Sequence, residues 1–196
     1  MKKVLLLLAK GFEMIEASVF IDVIGWNSSF GDASVSLVIC GSRPEVESTF
    51  SVGVKTGILI GDVRVDEYDA LAIPGGFGTY GYYEEAHSAA FQQLIRDFHD
   101  KNKLIASICV GAIPLAQSGI LKGKKATTYN LNEKKTQHQL ASLGVEVVNR
   151  PVVIDDNIIT SWNPSTAFDV AFTMLERLTS KDNARYIRQQ MGFYSK

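Results

Sequence analysis

The sequence predicts an α/β fold, one domain built on a mostly parallel sheet with helices on both faces. Three observations predict it. Apolar runs at Val4–Leu8 and Ala70–Ile73, and the run Leu104–Ile108 interrupted only by Ser107, suit strands buried on both faces. Segments of helical pattern separate these runs, so strand and helix alternate along the chain. The 196 residues fit one core of ordinary size, and no repeat, low-complexity segment or linker divides residues 1–196.

Val4–Leu8 is the first strand. Two lysines before an apolar run imitate a secretory leader, but five residues extended only by Ala9 fall short of the about 7–15 of a leader core. They fall further short of the about 20 needed to span a membrane. Ile15–Trp26 follows as a helix and Ala33–Ile39 as a strand, closed by Cys40–Pro44. Between Thr49 and Val65, β-prone pieces broken by Gly53, Gly57 and Gly61 read as a hairpin or an irregular edge. Ala70–Ile73 is a central strand ended by Pro74, Gly75 and Gly76. Ala86–Lys101 is helical, Leu104–Ile108 is a strand, and Val110–Ser118 is a helix stopped by Gly119. Lys125–Thr128 reads as a strand and Glu133–Leu143 as a helix with Gly144 at its C-terminal stop. Two β-runs flank Asp156-Asn157, a two-residue hairpin turn. Ser165–Leu178 is a helix with Ser165 or Thr166 as N-cap, and Asp182–Phe193 forms a last helix.

Apolar residues make up 46% and charged residues 21%, the balance of a globular chain with a full core. A net charge of −1 without a basic block gives no electrostatic footprint for nucleic acid, and no membrane partner is expected. The two cysteines, Cys40 and Cys109, are far apart and lack CxxC spacing. That argues against a disulfide framework or a zinc site and fits a reducing compartment, so the cytoplasm is the expected location. No His/Cys/Asp cluster has metal spacing, and Gly76–Tyr83 is too irregular for a dinucleotide or phosphate-loop fingerprint. Neither metal nor cofactor is expected. His87, His99 and His138 are scattered over helical segments, where solvated positions suit them.

Cys109 is the residue with the most chemistry in its surroundings. In a doubly wound sheet, ligands meet the protein at the carboxyl ends of the strands. Strand, then Cys109, then Gly111 two residues on, then helix is the logic of a nucleophile elbow. A nearby helix N-terminus favours thiolate. Against this stands the ordinary role of a lone cysteine as a small buried residue. At about 100° per residue, Glu16 shares a face with Val19, Phe20, Val23 and Ile24, with Ser18 and Asp22 opposite. A carboxyl group amid an apolar stripe gains either a raised pKa or a partner. The competing reading has Glu16 in the first helical turn facing solvent or offsetting the helix dipole. Pro74-Gly75-Gly76 can supply backbone N–H groups to an oxyanion, or serve turn geometry alone. The tyrosines of Gly76–Tyr83 either line a pocket or cover a loop.

With these residues in place, the chain resembles the ThiJ/PfpI superfamily, and within it the DJ-one group, named for the parkinsonism-associated protein deglycase. The resemblance runs from LLAKGFEMIEA (Leu7–Ala17) through DALAIPGG (Asp69–Gly76) and LIASICVGAIPLA (Leu104–Ala116). It continues in KATTYN (Lys125–Asn130) and IITSWNPSTAFDVAFTMLE (Ile158–Glu176). It implies a flavodoxin-like three-layer sandwich, of the class I glutamine amidotransferase type, that forms homodimers. It also implies that Cys109 is the reactive cysteine and Glu16 the carboxylic acid that hydrogen-bonds its sulfur. The amides of Gly75, Gly76 and Val110 would form the anion site. Two positions depart from the pattern. Val110 stands where the protease-like branch has histidine, so a protease is not expected. Tyr129 stands where the DJ-one group often has a histidine near the cysteine, and a phenol is a hydrogen-bond donor rather than a base at neutral pH.

The expected activity is therefore a cofactor-independent glyoxalase or deglycase reaction on a small carbonyl substrate, an α-oxoaldehyde such as methylglyoxal. Cys109 would attack the aldehyde carbon, Glu16 would shuttle the proton, and Tyr129 would assist at most as a donor. Two other readings are a redox-responsive stress protein, in which Cys109 is oxidised to sulfinate beside Glu16, and an inactive relative serving as an interaction domain.

Overall fold

The leucine run forms β1 (Lys2–Leu7) in the computed structural model, which describes residues 1–193, and Val4–Leu8 are all buried. Helix α1 (Met14–Phe30) buries Glu16, Val19, Phe20, Val23 and Ile24 on the face that the spacing predicts. β2 (Val35–Gly41) follows, then a hairpin of β3 (Glu45–Glu47) and β4 (Gly53–Lys55), and the short β5 (Ile58–Leu59). β6 (Ala70–Ile73) leads to α2 (Tyr82–Ala86) and α3 (Ala89–Asp100). Next come β7 (Leu104–Ser107), α4 (Ala112–Gln117), β8 (Lys125–Ala126), α5 (Lys135–Ser142) and β9 (Glu146–Val147). The hairpin of β10 (Val152–Asp155) and β11 (Ile158–Ser161), then α6 (Ala167–Leu178) and α7 (Lys181–Gln190), complete the described chain.

Seven strands form the central sheet in the order β10-β11-β7-β6-β1-β2-β5, parallel at every pairing except β10 with β11. Helices flank it: α1 packs on α6 and α7, and α3 packs on α4. The order explains the position of the cleft. From β1 the chain steps outward to β2 and later returns to place β6 on the other side of β1. Between β1 and β6 the connections therefore depart in opposite directions, which opens a crevice at the carboxyl ends of those strands. The loops after β1, β6 and β7 all open there. Among the described residues no helix is long and apolar enough to cross a membrane.

Some boundaries differ from the sequence expectation, each for a local reason. The helix expected at Ala86–Lys101 begins earlier and breaks near His87, where the Ser88 side chain accepts the Phe91 N–H and starts α3 afresh. α5 starts at Lys135 because Glu133 and Lys134 are left-handed, with φ of 54° and 60°. Lys125–Thr128 is a strand for two residues only and pairs with β9 outside the main sheet. Thr166 stands at the N-cap of α6, as expected, but its side chain makes no capping bond there; the capping bonds come one turn earlier, from Asn163 ahead of the turn Pro164–Thr166. Asn163 Oδ1 accepts the Ser165 N–H while Thr166 Oγ1 accepts the Asn163 N–H.

One buried polar residue ties the end of α1 to α7. The Asn27 carbonyl accepts from Gly31 N at 3.0 Å, its Oδ1 accepts from Asn183 Nδ2 at 2.7 Å, and its Nδ2 donates to Asp32 at 3.2 Å. Asn27→Ala strands the polar partners of that side chain, and the expected loss is about 2 kcal/mol. In a chain of this length that lowers the melting temperature by about 5 °C in calorimetry.

Candidate active site

β7 ends at Ser107, and the chain turns through Ile108–Gly111 before α4 begins. Cys109 occupies the turn with φ of 58°, a left-handed conformation that costs a non-glycine residue about 1–2 kcal/mol. Neighbouring contacts hold it there. The Thr128 hydroxyl donates to the Cys109 carbonyl at 2.8 Å, and Ile108 N donates to the Ile73 carbonyl at 3.2 Å. Gly111 lets the turn press against β6, since a Cβ there would lie 2.9 Å from the Ile73 oxygen. This is the strained elbow that the sequence predicts.

Glu16 is fully buried, so the solvent-facing alternative does not apply. Its helix begins at an unusual cap: Glu13 Oε2 accepts the Glu16 N–H at 2.9 Å. Gly75 N donates to Glu16 Oε2 at 2.7 Å. Gly75 is also the point where three segments touch. A Cβ on it would lie 2.9 Å from Glu16 Oε2 and 3.0 Å from both the Cys109 Cβ and Val110 N. Burial pushes the Glu16 carboxyl up to about 8; the Glu13 charge adds to this, while the Gly75 N–H and Cys109 pull the other way. Glu16 Oε1 is buried without a hydrogen bond of standard geometry, yet the carboxyl group and the Cys109 sulfur each shift the other's ionisation.

Burial also pushes the Cys109 thiol well above its ordinary value, and an ionised Glu16 pushes it further. The Val110 N–H, directed at the sulfur, only partly offsets this. The helix N-terminus therefore does not by itself yield a low-pKa thiolate, because desolvation outweighs it. The two groups titrate as a unit. Near pH 8 the pair loses one proton and becomes a monoanion. Loss of the second is strongly opposed, since it would place two negative charges in one buried site. Cys40, buried with no such partner, is pushed up to about 12 by desolvation alone.

The anion site differs from the expectation at one residue. The Gly75 N–H is given to Glu16, so Gly75 holds the carboxyl group instead of meeting a substrate oxygen. Gly76 and Val110 line a cavity of about 360 Å³ that contains Cys109 and Glu16. Tyr129 lines the same cavity as Cys109. Glu13, Phe77, Tyr83, Asn132, Thr136 and Pro164 also contribute to the wall. Of these, only Tyr83 was foreshadowed, as one of the loop tyrosines. Its neighbour Tyr82 is buried and donates to the Pro74 carbonyl at 2.8 Å. His138 is exposed as expected, whereas His87 is half-buried against the Tyr83 ring, with centroids 5.2 Å apart.

The Glu16 shift makes stability depend on pH. The unfolded carboxyl ionises near 4.5 and the folded one near about 8. The folded state is thus favoured most below pH 4.5, and that advantage is lost as the pH rises to about 8. Glu16→Gln keeps the shape and removes the titration. The variant should be more stable than the parent by about 4 kcal/mol at pH 8 and equal to it below pH 4.5 in urea unfolding. A difference independent of pH would contradict the buried, protonated carboxyl.

Comparison with known proteins places the fold in a family. The model of the DJ-1/PfpI family matches residues 2–177. Protein dj-1beta of Drosophila melanogaster is 28% identical over 188 residues, covering 95% of this chain and 94% of that protein. Its crystal structure superimposes with a TM-score of 0.86 at 27% identity and 99% coverage of both chains. The glutathione-independent glyoxalase DJ-1 of Schizosaccharomyces pombe is 35% identical over 123 residues, 61% of each chain. Uncharacterized protein MJ0967 of Methanocaldococcus jannaschii is 39% identical over 106 residues; the match spans 54% of this chain and half of that protein's length. With the family pattern matched over nearly its whole length and the fold shared end to end, this chain belongs to the DJ-1/PfpI family.

Proposed function

We propose that this protein is a cofactor-independent glyoxalase that converts small α-oxoaldehydes to 2-hydroxy acids, with Cys109 as nucleophile and Glu16 as proton carrier. The observation that carries the reading is the coupled Cys109–Glu16 pair, set on a strained elbow and opening into a cavity. The fission-yeast relative named as a glutathione-independent glyoxalase supports the choice of reaction.

The chemistry follows from the monoanion of the pair. Sγ attacks the aldehyde carbon and forms a C–S bond, while the proton on Glu16 passes to the carbonyl oxygen to give a hemithioacetal. N–H groups of Gly76 and Val110 meet the charge that develops on that oxygen. Glu16, now a carboxylate, removes the proton from the same carbon, and the resulting enediol is reprotonated at the adjacent carbon. The former aldehyde carbon is thereby oxidised and its neighbour reduced, so no external electron carrier enters. A thioester results. Water cleaves it, releasing the 2-hydroxy acid and restoring the thiol. One carboxyl group suffices as acid and then as base because its pKa lies near the working pH. Tyr129 in place of histidine is compatible with this cycle, since the thiol's proton partner is Glu16.

Purified protein should convert methylglyoxal to lactate, and Cys109→Ala should lower turnover by at least about 10³-fold. Absence of lactate from the parent, or full activity in Cys109→Ala, contradicts the assignment. In the parent, kcat/KM should rise with pH to a plateau, with a midpoint near the about 8 of the Glu16 group. Glu16→Gln should abolish that rise and cost about 10²-fold or more at pH 8.

A further inference from the structure

We infer that Tyr83 and Glu13 select the substrate: the Tyr83 hydroxyl donates to the carbonyl oxygen not under attack, and Glu13 makes the cavity reject anionic α-oxoaldehydes in favour of uncharged ones. This inference rests on the glyoxalase reading and goes beyond it in naming the residues that discriminate and the charge class they admit.

Tyr83 differs from its neighbour in what its hydroxyl does. Tyr82 is buried, and its O–H is committed to the Pro74 carbonyl. Tyr83 is half-buried, lines the cavity that holds Cys109, and makes no hydrogen bond to protein among the described residues. Its ring is nevertheless fixed. It stands edge-on to Tyr82 at a centroid separation of 5.4 Å and 77°, and packs against His87 at 5.2 Å. The Gly78 backbone also lies close to the ring, since a Cβ there would lie 3.0 Å from Tyr83 Cδ2. A held ring with an uncommitted hydroxyl is a preorganised donor. Burial raises the phenol to about 12 and charge on Cys109 adds to the effect, so it remains a donor at every pH at which the enzyme would work.

The reaction needs such a donor. The enediol intermediate carries oxygen on both carbons, and the backbone N–H groups near the elbow serve the one derived from the aldehyde. A second donor in the cavity lining, which Tyr83 supplies, steadies the other oxygen and fixes the two carbonyls relative to Sγ.

Charge supplies the other half of the argument. Glu13 and Glu16 both line the cavity, while no Lys, Arg or His does among the described residues. Glu13 Oε2 is anchored by the Glu16 N–H, so it cannot swing away from a ligand without uncapping α1. A substrate carboxylate would meet this acidic wall with no counter-charge, at a cost that grows as water leaves the site.

Two matched measurements test this. For orientation, methylglyoxal turnover by Tyr83→Phe is compared with the parent, alongside the rate at which iodoacetamide alkylates Cys109. The expected result is a fall in kcat of about tenfold or more with an alkylation rate within about twofold. Unchanged kcat overturns the role of Tyr83, and so does an equal fall in both rates, which would mean a disturbed elbow. For charge, phenylglyoxal is compared with its 4-carboxylate. The parent should favour the uncharged probe by about tenfold in kcat/KM, and Glu13→Gln should narrow that ratio several-fold. Equal use of the two probes, turnover of neither, or an unchanged ratio in Glu13→Gln overturns the charge selection. If the parent turns over no oxoaldehyde at all, the proposed function falls and this inference falls with it. An active parent that fails these comparisons defeats the inference alone.

Discussion

The hydrogen bond from Gly75 N to Glu16 Oε2 is the interaction on which the site depends. A carboxyl group with no exposed surface would be expensive to keep in this core if it were ionised at neutral pH. The fold accommodates it by keeping the proton on the carboxyl and giving one oxygen a backbone donor. The cost is thereby turned into a property: a group that is ordinarily a weak base has its ionisation moved up to about 8, which is what the proposed proton carrier requires. The same bond fixes which oxygen is occupied, leaving the other without a standard partner beside the coupled thiol.

Steric contact makes that bond possible. Gly75 follows β6, Glu16 opens α1 after β1, and Cys109 follows β7, so the three come from neighbouring strands of the sheet. Any side chain at 75 would push them apart, as the 2.9 Å and 3.0 Å approaches of its would-be Cβ demonstrate. Gly111 permits the corresponding approach of the elbow to the Ile73 carbonyl. The strain in Cys109 is therefore held by contacts on several sides, which is the condition under which a left-handed non-glycine residue persists.

Much of this was legible in the sequence because its signals are local. Apolar runs marked β1, β6 and, with Ser107 interrupting it, β7; helical phase marked Glu16; the strand–cysteine–glycine–helix order marked the elbow. What escaped were contributions whose cause lies in another part of the chain. Gly75 looked like an anion donor because nothing local shows that Glu16 takes its N–H. Glu13 is not among the residues favoured as caps, and its position over the cavity depends on how the β1–α1 loop closes on β6. Asn132 and Thr136 approach from the α5 region, whose left-handed entry at Glu133 and Lys134 has no glycine to announce it. The pairing of β8 with β9, each only two residues long, leaves too little pattern for periodicity to register.

The absence of histidine beside the cysteine bears on how such a pair works. A neutral base next to a thiol promotes its ionisation by accepting the proton and leaving an ion pair. Glu16 cannot do this in the same way, because its own ionised form repels the thiolate and burial disfavours both charges. What it can do is share a single negative charge with the sulfur. The proton then moves within the pair, and no second charge is created in the buried site. Such an arrangement is reactive only after the pair has lost one proton, and it gains nothing from a further anion in the cavity. On the proposed mechanism, an acidic wall without Lys, Arg or His among the described residues and an uncharged electrophile both follow from the same choice of proton carrier, and the Tyr83 phenol, which donates without adding charge, is the kind of partner that choice allows.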